Sequence, residues 1–166
     1  MIEVTGNALI AVVGVVASGI LTAAVQKFEG VKLVGYRDPV GIPTKCVGDT
    51  RGVIVGKSYS EAECLESLEK HLMAHASVVL RCTPGLKQHP YQLAAAVSFA
   101  DNIGPTAYCS STTARRFNAG DWRGACRAMN ESDSGRPQWV TARGRMLRGL
   151  VKRRAEERSI CEQGLQ

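Results

Sequence analysis

Glu29 and Asp38 stand nine positions apart, and Thr44 follows six positions later, in the stretch FEGVKLVGYRDPVGIPTKC. A Glu, an Asp and a hydroxyl so placed can serve glycosidic hydrolysis, in which one carboxyl protonates the leaving oxygen while a carboxylate acts across the sugar ring. Glu29 follows Phe28 where an apolar segment ends, and shielding from water at such a junction suits a proton donor. Asp38, beside Arg37 in a turn-rich segment, is the candidate for the opposite carboxylate, and Thr44 offers a hydroxyl that can accept from and donate to one water. The pair alone has little specificity, because two neighbouring acids are more often solvated surface groups. The elements that carry them must decide.

The segment TAAVQKFEG has good helix formers and stops at Gly30, which puts Glu29 in the last turn of a helix. The following VKLVGYRDPVGIPTKCVGDTRGVIVGKSYS mixes Val, Ile, Tyr and Thr with closely spaced Gly and Pro, the pattern of a small antiparallel sheet near residues 31–57. A helix feeding a hairpin can present Glu29 and Asp38 to one cleft from different elements. From Ser60 the pattern is helical, with Ser60 and Glu63 at capping-box positions before Cys64, Leu65, Leu68 and Leu72. Further helices are expected through YQLAAAVSFADNI, bounded by Pro90 and Gly104, through STTARRFNAG and DWRGACRAMNE, broken at Gly120, and through the basic GRMLRGLVKRRAEERSICEQ. The expected class is α+β, mostly helical with one small sheet.

From Val4 to Gln26 the chain carries no charge, and its roughly 20-residue apolar part matches the ~30 Å hydrocarbon thickness of a bilayer. Gly6, Gly14, Gly19, Ser18, Thr22 and several alanines dilute its hydrophobicity, so it is a weak anchor. A cleaved signal peptide fits less well, because Glu3 is the only charged side chain before the run and the usual basic start is absent. Membrane insertion of residues 4–26 is the first reading. An N-terminal helix buried in the soluble fold, its small residues giving close packing, is the second. The domain division that goes with the first reading is 1–26 for the segment and 27–166 for the folded body.

The 166 residues carry 21 Lys and Arg against 15 Asp and Glu, and the net charge of +6 favours an anionic partner. Aromatics make up only 5% of the chain, which speaks against nucleic acid as that partner. Six cysteines, Cys46, Cys64, Cys82, Cys109, Cys126 and Cys161, occur without a CxxC motif; they point to disulfides and an oxidising compartment, against the alternative of six buried thiols. Their number allows 15 pairings. His71, His75 and His89 lie far along the chain from Glu29 and are read as surface or helix-face residues, with no metal and no cofactor expected.

The ordered set EGVKLVGYRDPVGIPT, AAAVSFADNIG, FNAGDWRGAC and RGLVKRRAEERSIC resembles the phage-type lysozymes, glycoside hydrolase family 24, over nearly all of the chain from Glu29 to Cys161. The resemblance implies a lysozyme-like fold and a monomeric muramidase. It implies Glu29 as general acid, Asp38 as opposing carboxylate and Thr44 positioning the attacking water, with inversion at the sugar. It also implies Ser98 and Asn102 on the helix edging the saccharide cleft, Arg153 or Arg154 near Glu29, and the pairs Cys46–Cys64, Cys82–Cys109 and Cys126–Cys161. Two positions depart from the family pattern, Asp49 where relatives often have His and Asp101 where they often have an aromatic residue. The weak N-terminal segment is similar to that of the signal-arrest-release endolysins, which implies export through the host secretion machinery, an inactive form tethered at the inner membrane facing the periplasm, and release. Residues 1–45 contain no Cys, so that release is expected without thiol exchange from the anchor. The rival functions are a non-enzymatic wall- or membrane-binding protein and a lytic transglycosylase, which keeps a catalytic Glu and needs no Asp partner.

Overall fold

The computed structural model describes residues 7–165. Val4, Thr5 and Gly6 of the uncharged run therefore lie outside the described residues. The rest of the run forms two helices, α1 (Asn7–Val13) and α2 (Val15–Glu29), separated at Gly14, whose φ of 85° is open to glycine and strained for other residues. Leu9, Val13, Ala17, Leu21 and Val25 recur every fourth residue along this pair and are all buried. They join one core with Leu72 and Ala76 of α3 (Glu61–Cys82) and with α4 (Pro90–Ile103). In this state of the chain α1 and α2 contribute to the same core as the body. Among the described residues no helix is long and apolar enough to cross a membrane.

Helix α4 is the axle of the helical part. Nine consecutive residues, Gln92 to Ala100, are buried, as expected for a helix covered on every side. Ala94, Ala95, Ala96, Ser98 and Ala100 present small side chains, which lets α2, α3 and α8 (Arg148–Gln163) pack closely on it. Short helices α5 (Pro105–Cys109), α6 (Thr112–Asn118) and α7 (Trp122–Arg127) close one end. Ser60 and Glu63 form the expected capping box, the Ser60 Oγ accepting from the Glu63 N–H and the Glu63 carboxylate accepting from the Ser60 N–H.

Strands β1 (Lys32–Arg37) and β2 (Pro43–Cys46) pair antiparallel, with Tyr36 opposite Thr44. Gly35 is required here, because a Cβ at that position would meet the Ile54 carbonyl oxygen at 2.3 Å. This lobe leaves Val34, Val40, Ile42 and Ile54 exposed and buries little beyond Cys46, Tyr59 and Cys64. The Cys46–Cys64 disulfide ties it to α3. Disulfides Cys82–Cys109 and Cys126–Cys161 join α3 to α5 and α7 to α8, which gives the pairing that the resemblance implied. Three features were not expected: a 3-10 turn over Pro84–Gln88, the short helix α5, and a second hairpin of two-residue strands, β3 (Thr141–Ala142) and β4 (Arg145–Met146), in place of the first turn of the last helix.

Candidate active site

Helix α2 ends at Glu29 because Gly30, at φ 70°, turns the chain out of the helix while its N–H donates to the Gln26 carbonyl. The Glu29 carboxylate is thus projected from a helix end, and it lines a pocket of about 360 Å³ with Phe28, Asn102, Leu147, Gly149, Leu150 and Arg153. Its side chain is 38% exposed, so the protein itself does not supply the shielding from water expected at this junction. What it supplies is a cation. The Arg153 guanidinium donates through Nη1 to Glu29 Oε1 and lies 4.9 Å from the Phe28 ring centre.

Arg153 is itself fixed from behind. Its Nε donates to Glu157 at 3.1 Å, and its Nη2 donates to the Ser98 carbonyl and to Asp101 Oδ2, each at 3.1 Å. Arg154, the other candidate for Glu29, points elsewhere: it is fully buried, donates through Nη2 to Glu157 at 3.1 Å and lies 5.0 Å from the Phe99 ring centre. Ser98 is also inside. Its hydroxyl donates to Glu157 at 2.8 Å and it is 1% exposed, so a place on the saccharide edge does not fit its burial. Asn102, one turn further along α4, is exposed and lines the Glu29 pocket.

Asp38 and Thr44 share an anchor across the hairpin turn. The Ile42 carbonyl accepts from the Asp38 N–H and from the Thr44 hydroxyl, both at 2.9 Å. Asp38 Oδ1 accepts from the N–H groups of Val40 at 3.0 Å and Ile42 at 2.8 Å. One carboxylate oxygen therefore shapes the turn, and among the described residues Oδ2 makes no hydrogen bond. Thr44 is 4% exposed with its proton committed to Ile42, so what it retains for a water is acceptor capacity. Asp49 accepts from the Ser67 hydroxyl at 2.5 Å and from Arg51, and makes no contact with Glu29.

His71 and His75 are helix-face residues, as the sequence suggested, and they carry a contact it did not show. His71 and His75 occupy one face of α3, four residues apart, and meet Asp101 of α4: His71 Nε2 lies 2.7 Å and His75 Nδ1 3.3 Å from Asp101 Oδ1. Burial opposes ionisation of Asp101. The hydrogen bond from His71, the approach of His75 and the charges of His71 and Arg153 outweigh it and hold the carboxyl well below the usual carboxylate range. The chain of contacts His71, Asp101, Arg153, Glu29 thus runs from α3 to the pocket. The signal that could have found it was HLMAH, a pair of histidines at i and i+4 on a helical pattern.

A helical body over a buried α4, with a carboxyl projected from a helix end beside a small stapled hairpin lobe, is a lysozyme-like architecture. The Phage lysozyme family matches residues 26–157. The chain is 34% identical over 169 residues to a SAR-endolysin of Bacteriophage PS119, covering 100% of this chain and 93% of that protein. Among solved structures it is similar to the endolysin from Escherichia coli O157:H7 phage FAHEc1, with a TM-score of 0.72, 28% identity and 86% and 90% of the two chains covered. In fold it is also similar to the active form of P1 phage endolysin Lyz, with a TM-score of 0.78, 22% identity and 96% and 93% covered. The chain belongs to the phage lysozyme family.

Proposed function

We propose that this lysozyme is a phage endolysin that hydrolyses the β-1,4 bond between N-acetylmuramic acid and N-acetylglucosamine in peptidoglycan and so lyses the host cell. Glu29 protonates the glycosidic oxygen, Asp38 is the carboxylate on the other face of the ring, and Thr44 positions the water, with inversion of the anomeric centre. The observation that carries this reading is the held position of Glu29: a helix end, an open pocket and one buried guanidinium fix the carboxyl where a saccharide can reach it. Arg153 orients Glu29, while Asn102 stands at the edge of the same pocket as a substrate donor or acceptor. Asp38 Oδ2 is the oxygen left for catalysis, because Oδ1 is occupied by the turn. The +6 charge suits an anionic wall polymer.

Residues 4–26 carry the second half of the proposal. Exported by the host secretion machinery, they hold the chain at the inner membrane with the body in the periplasm, and the chain acts once they leave the lipid. Leu9, Val13, Ala17, Leu21 and Val25 are interior residues of the soluble fold, and they cannot fill that core and a bilayer at the same time. Gln26 stands three residues before Glu29, about 5 Å along a helix. With that helix in lipid, Glu29 cannot meet Arg153 of α8.

Digestion of purified murein by the wild type, Glu29→Gln and Asp38→Asn tests the catalytic half. The expected products are reducing muropeptides, inverted at the anomeric carbon, from the wild type alone. Release of no muropeptides would leave a wall-binding protein, and anhydro ends would make the enzyme a lytic transglycosylase. Comparison of the tethered and released forms on the same murein tests the second half, and equal rates would remove the proposed inhibition.

A further inference from the structure

The cluster His71, His75 and Asp101 lies outside the pocket just described, and its geometry points to a binding site for a borderline transition-metal dication of the zinc type. His71 Nε2, His75 Nδ1 and an Asp101 carboxylate oxygen all lie within 4.8 Å of one another. A tetrahedral ion with ligand bonds near 2.1 Å needs its ligand atoms about 3.4 Å apart. His71 Nε2 and His75 Nδ1 stand 2.7 and 3.3 Å from Asp101 Oδ1, within about 0.7 Å of that spacing. Two imidazoles and one carboxylate are a donor set for such an ion, and they leave a fourth position for water.

Three features distinguish this cluster from an ordinary ion pair. His75 Nδ1 is buried without a hydrogen bond among the described residues, since its approach to Asp101 at 3.3 Å is poorly aligned. Such a nitrogen is costly to leave unpaired and has a lone pair to give. Asp101 is braced through its other oxygen by Arg153, which orients the carboxylate toward the imidazoles as an outer partner commonly does at a metal centre. Entry is open as well. His71 is half-exposed and borders a pocket of about 280 Å³ lined also by Asp49, Arg51 and Ser67, so the imidazole is reached from solvent.

The site is coupled to the Glu29 pocket through Arg153, and this coupling rests on Glu29 being the general acid. A dication that takes Asp101 as a ligand competes with Arg153 for the same carboxylate and loosens the guanidinium that orients Glu29, so hydrolysis slows when the metal binds.

Calorimetric titration of the intact, disulfide-bonded protein with Zn²⁺, with Co²⁺ as a spectroscopic probe, tests the site without reference to activity. The wild type and Glu29→Gln are expected to bind one ion per chain, with visible Co²⁺ bands of a tetrahedral centre. His71→Ala and His75→Gln should each weaken binding by about tenfold or more, and His89→Gln should leave it unchanged. Absence of binding, or equal loss in His89→Gln, overturns the site. For the coupling, murein hydrolysis by each variant is compared with its own rate in chelator. Slowing by Zn²⁺ in the wild type and not in His75→Gln is expected; binding with no change in rate overturns the coupling. Zn²⁺ binding in a protein that releases no muropeptides would count against the lysozyme reading and leave the site standing.

Discussion

Arg153 is the residue on which the pocket turns, because one buried guanidinium serves Glu29 in front and Glu157 and Asp101 behind. The charge run KRRAEER carries no sign of this, since at helical spacing it reads equally well as a solvated, salt-bridged face. Burial decides between the two: Arg153, Arg154 and Glu157 are inside while Lys152 is exposed. Ser98 belongs to the same interior group. Removing its hydroxyl leaves a buried carboxylate short of one donor, which costs about 1.5–3 kcal/mol for a bond to a charged group. Ser98→Ala should therefore lower the unfolding midpoint while KM for murein stays unchanged; a raised KM with unaltered stability would return Ser98 to the saccharide cleft. Asp49 gives a pH test. Burial opposes its ionisation, but hydrogen bonds from Ser67 and Arg51 and the Arg51 charge outweigh that and hold its carboxyl below the ordinary Asp value of about 3.9. A depressed carboxylate contributes stability above its unfolded-state pKa and loses it as pH falls through the folded value. Denaturant unfolding should show Asp49→Asn less stable than the wild type by about 1 kcal/mol near neutral pH, with the gap closing below pH ~4.

At the scale of elements, legibility followed length and local chemistry. The α3 cap, the helix ending at Gly30, the hairpin of Asp38 and Thr44 and the stretch of α4 between Pro90 and Gly104 were all readable, because each announces itself through a capping pair, a breaker or a run of turn residues. Strands β3 and β4 were not, since two residues carry no periodicity. The contacts of Asp101 were hidden for another reason. Its partners His71 and Arg153 lie 30 and 52 positions away, so only the packing of α3, α4 and α8 brings them together. Helices α1 and α2 were ambiguous between lipid and core because both environments ask for apolar residues. The four-residue recurrence of buried side chains shows what the packed core adds, a one-sided demand that a bilayer does not make. Leu21 is fully buried at the centre of that stripe. Leu21→Ala should destabilise the folded protein by about 2–5 kcal/mol through lost transfer energy and the cavity left behind. Calorimetric unfolding of the released protein checks this, and a loss below about 1 kcal/mol would mean that α2 is not held in the core as described.

For the whole molecule, the proposed life cycle depends on a balance between two burials of the same segment. The core must compete with the bilayer for Leu9, Val13, Ala17, Leu21 and Val25, and the polar and small residues between them tip the balance. Ser18 and Thr22 are buried with hydroxyls that have no hydrogen-bond partner among the described residues, so the core accepts them at some cost. In lipid they and the glycines lower the hydrophobicity that would otherwise retain the segment. Gly19 separates the two environments experimentally. It is exposed in the folded chain, and a Cβ there meets nothing within 4 Å, so a larger side chain is tolerated by the soluble fold. Gly19→Leu adds about 0.5 kcal/mol or more of insertion energy without entering the core or the pocket. Fractionation of expressing cells should find more of this variant in the inner membrane and a delayed onset of lysis, while the purified soluble variant cuts murein at the wild-type rate. An unchanged distribution would mean that hydrophobicity of residues 4–26 does not govern release. A slower purified enzyme would mean that α2 transmits strain to Glu29, and the two burials would then no longer be separable.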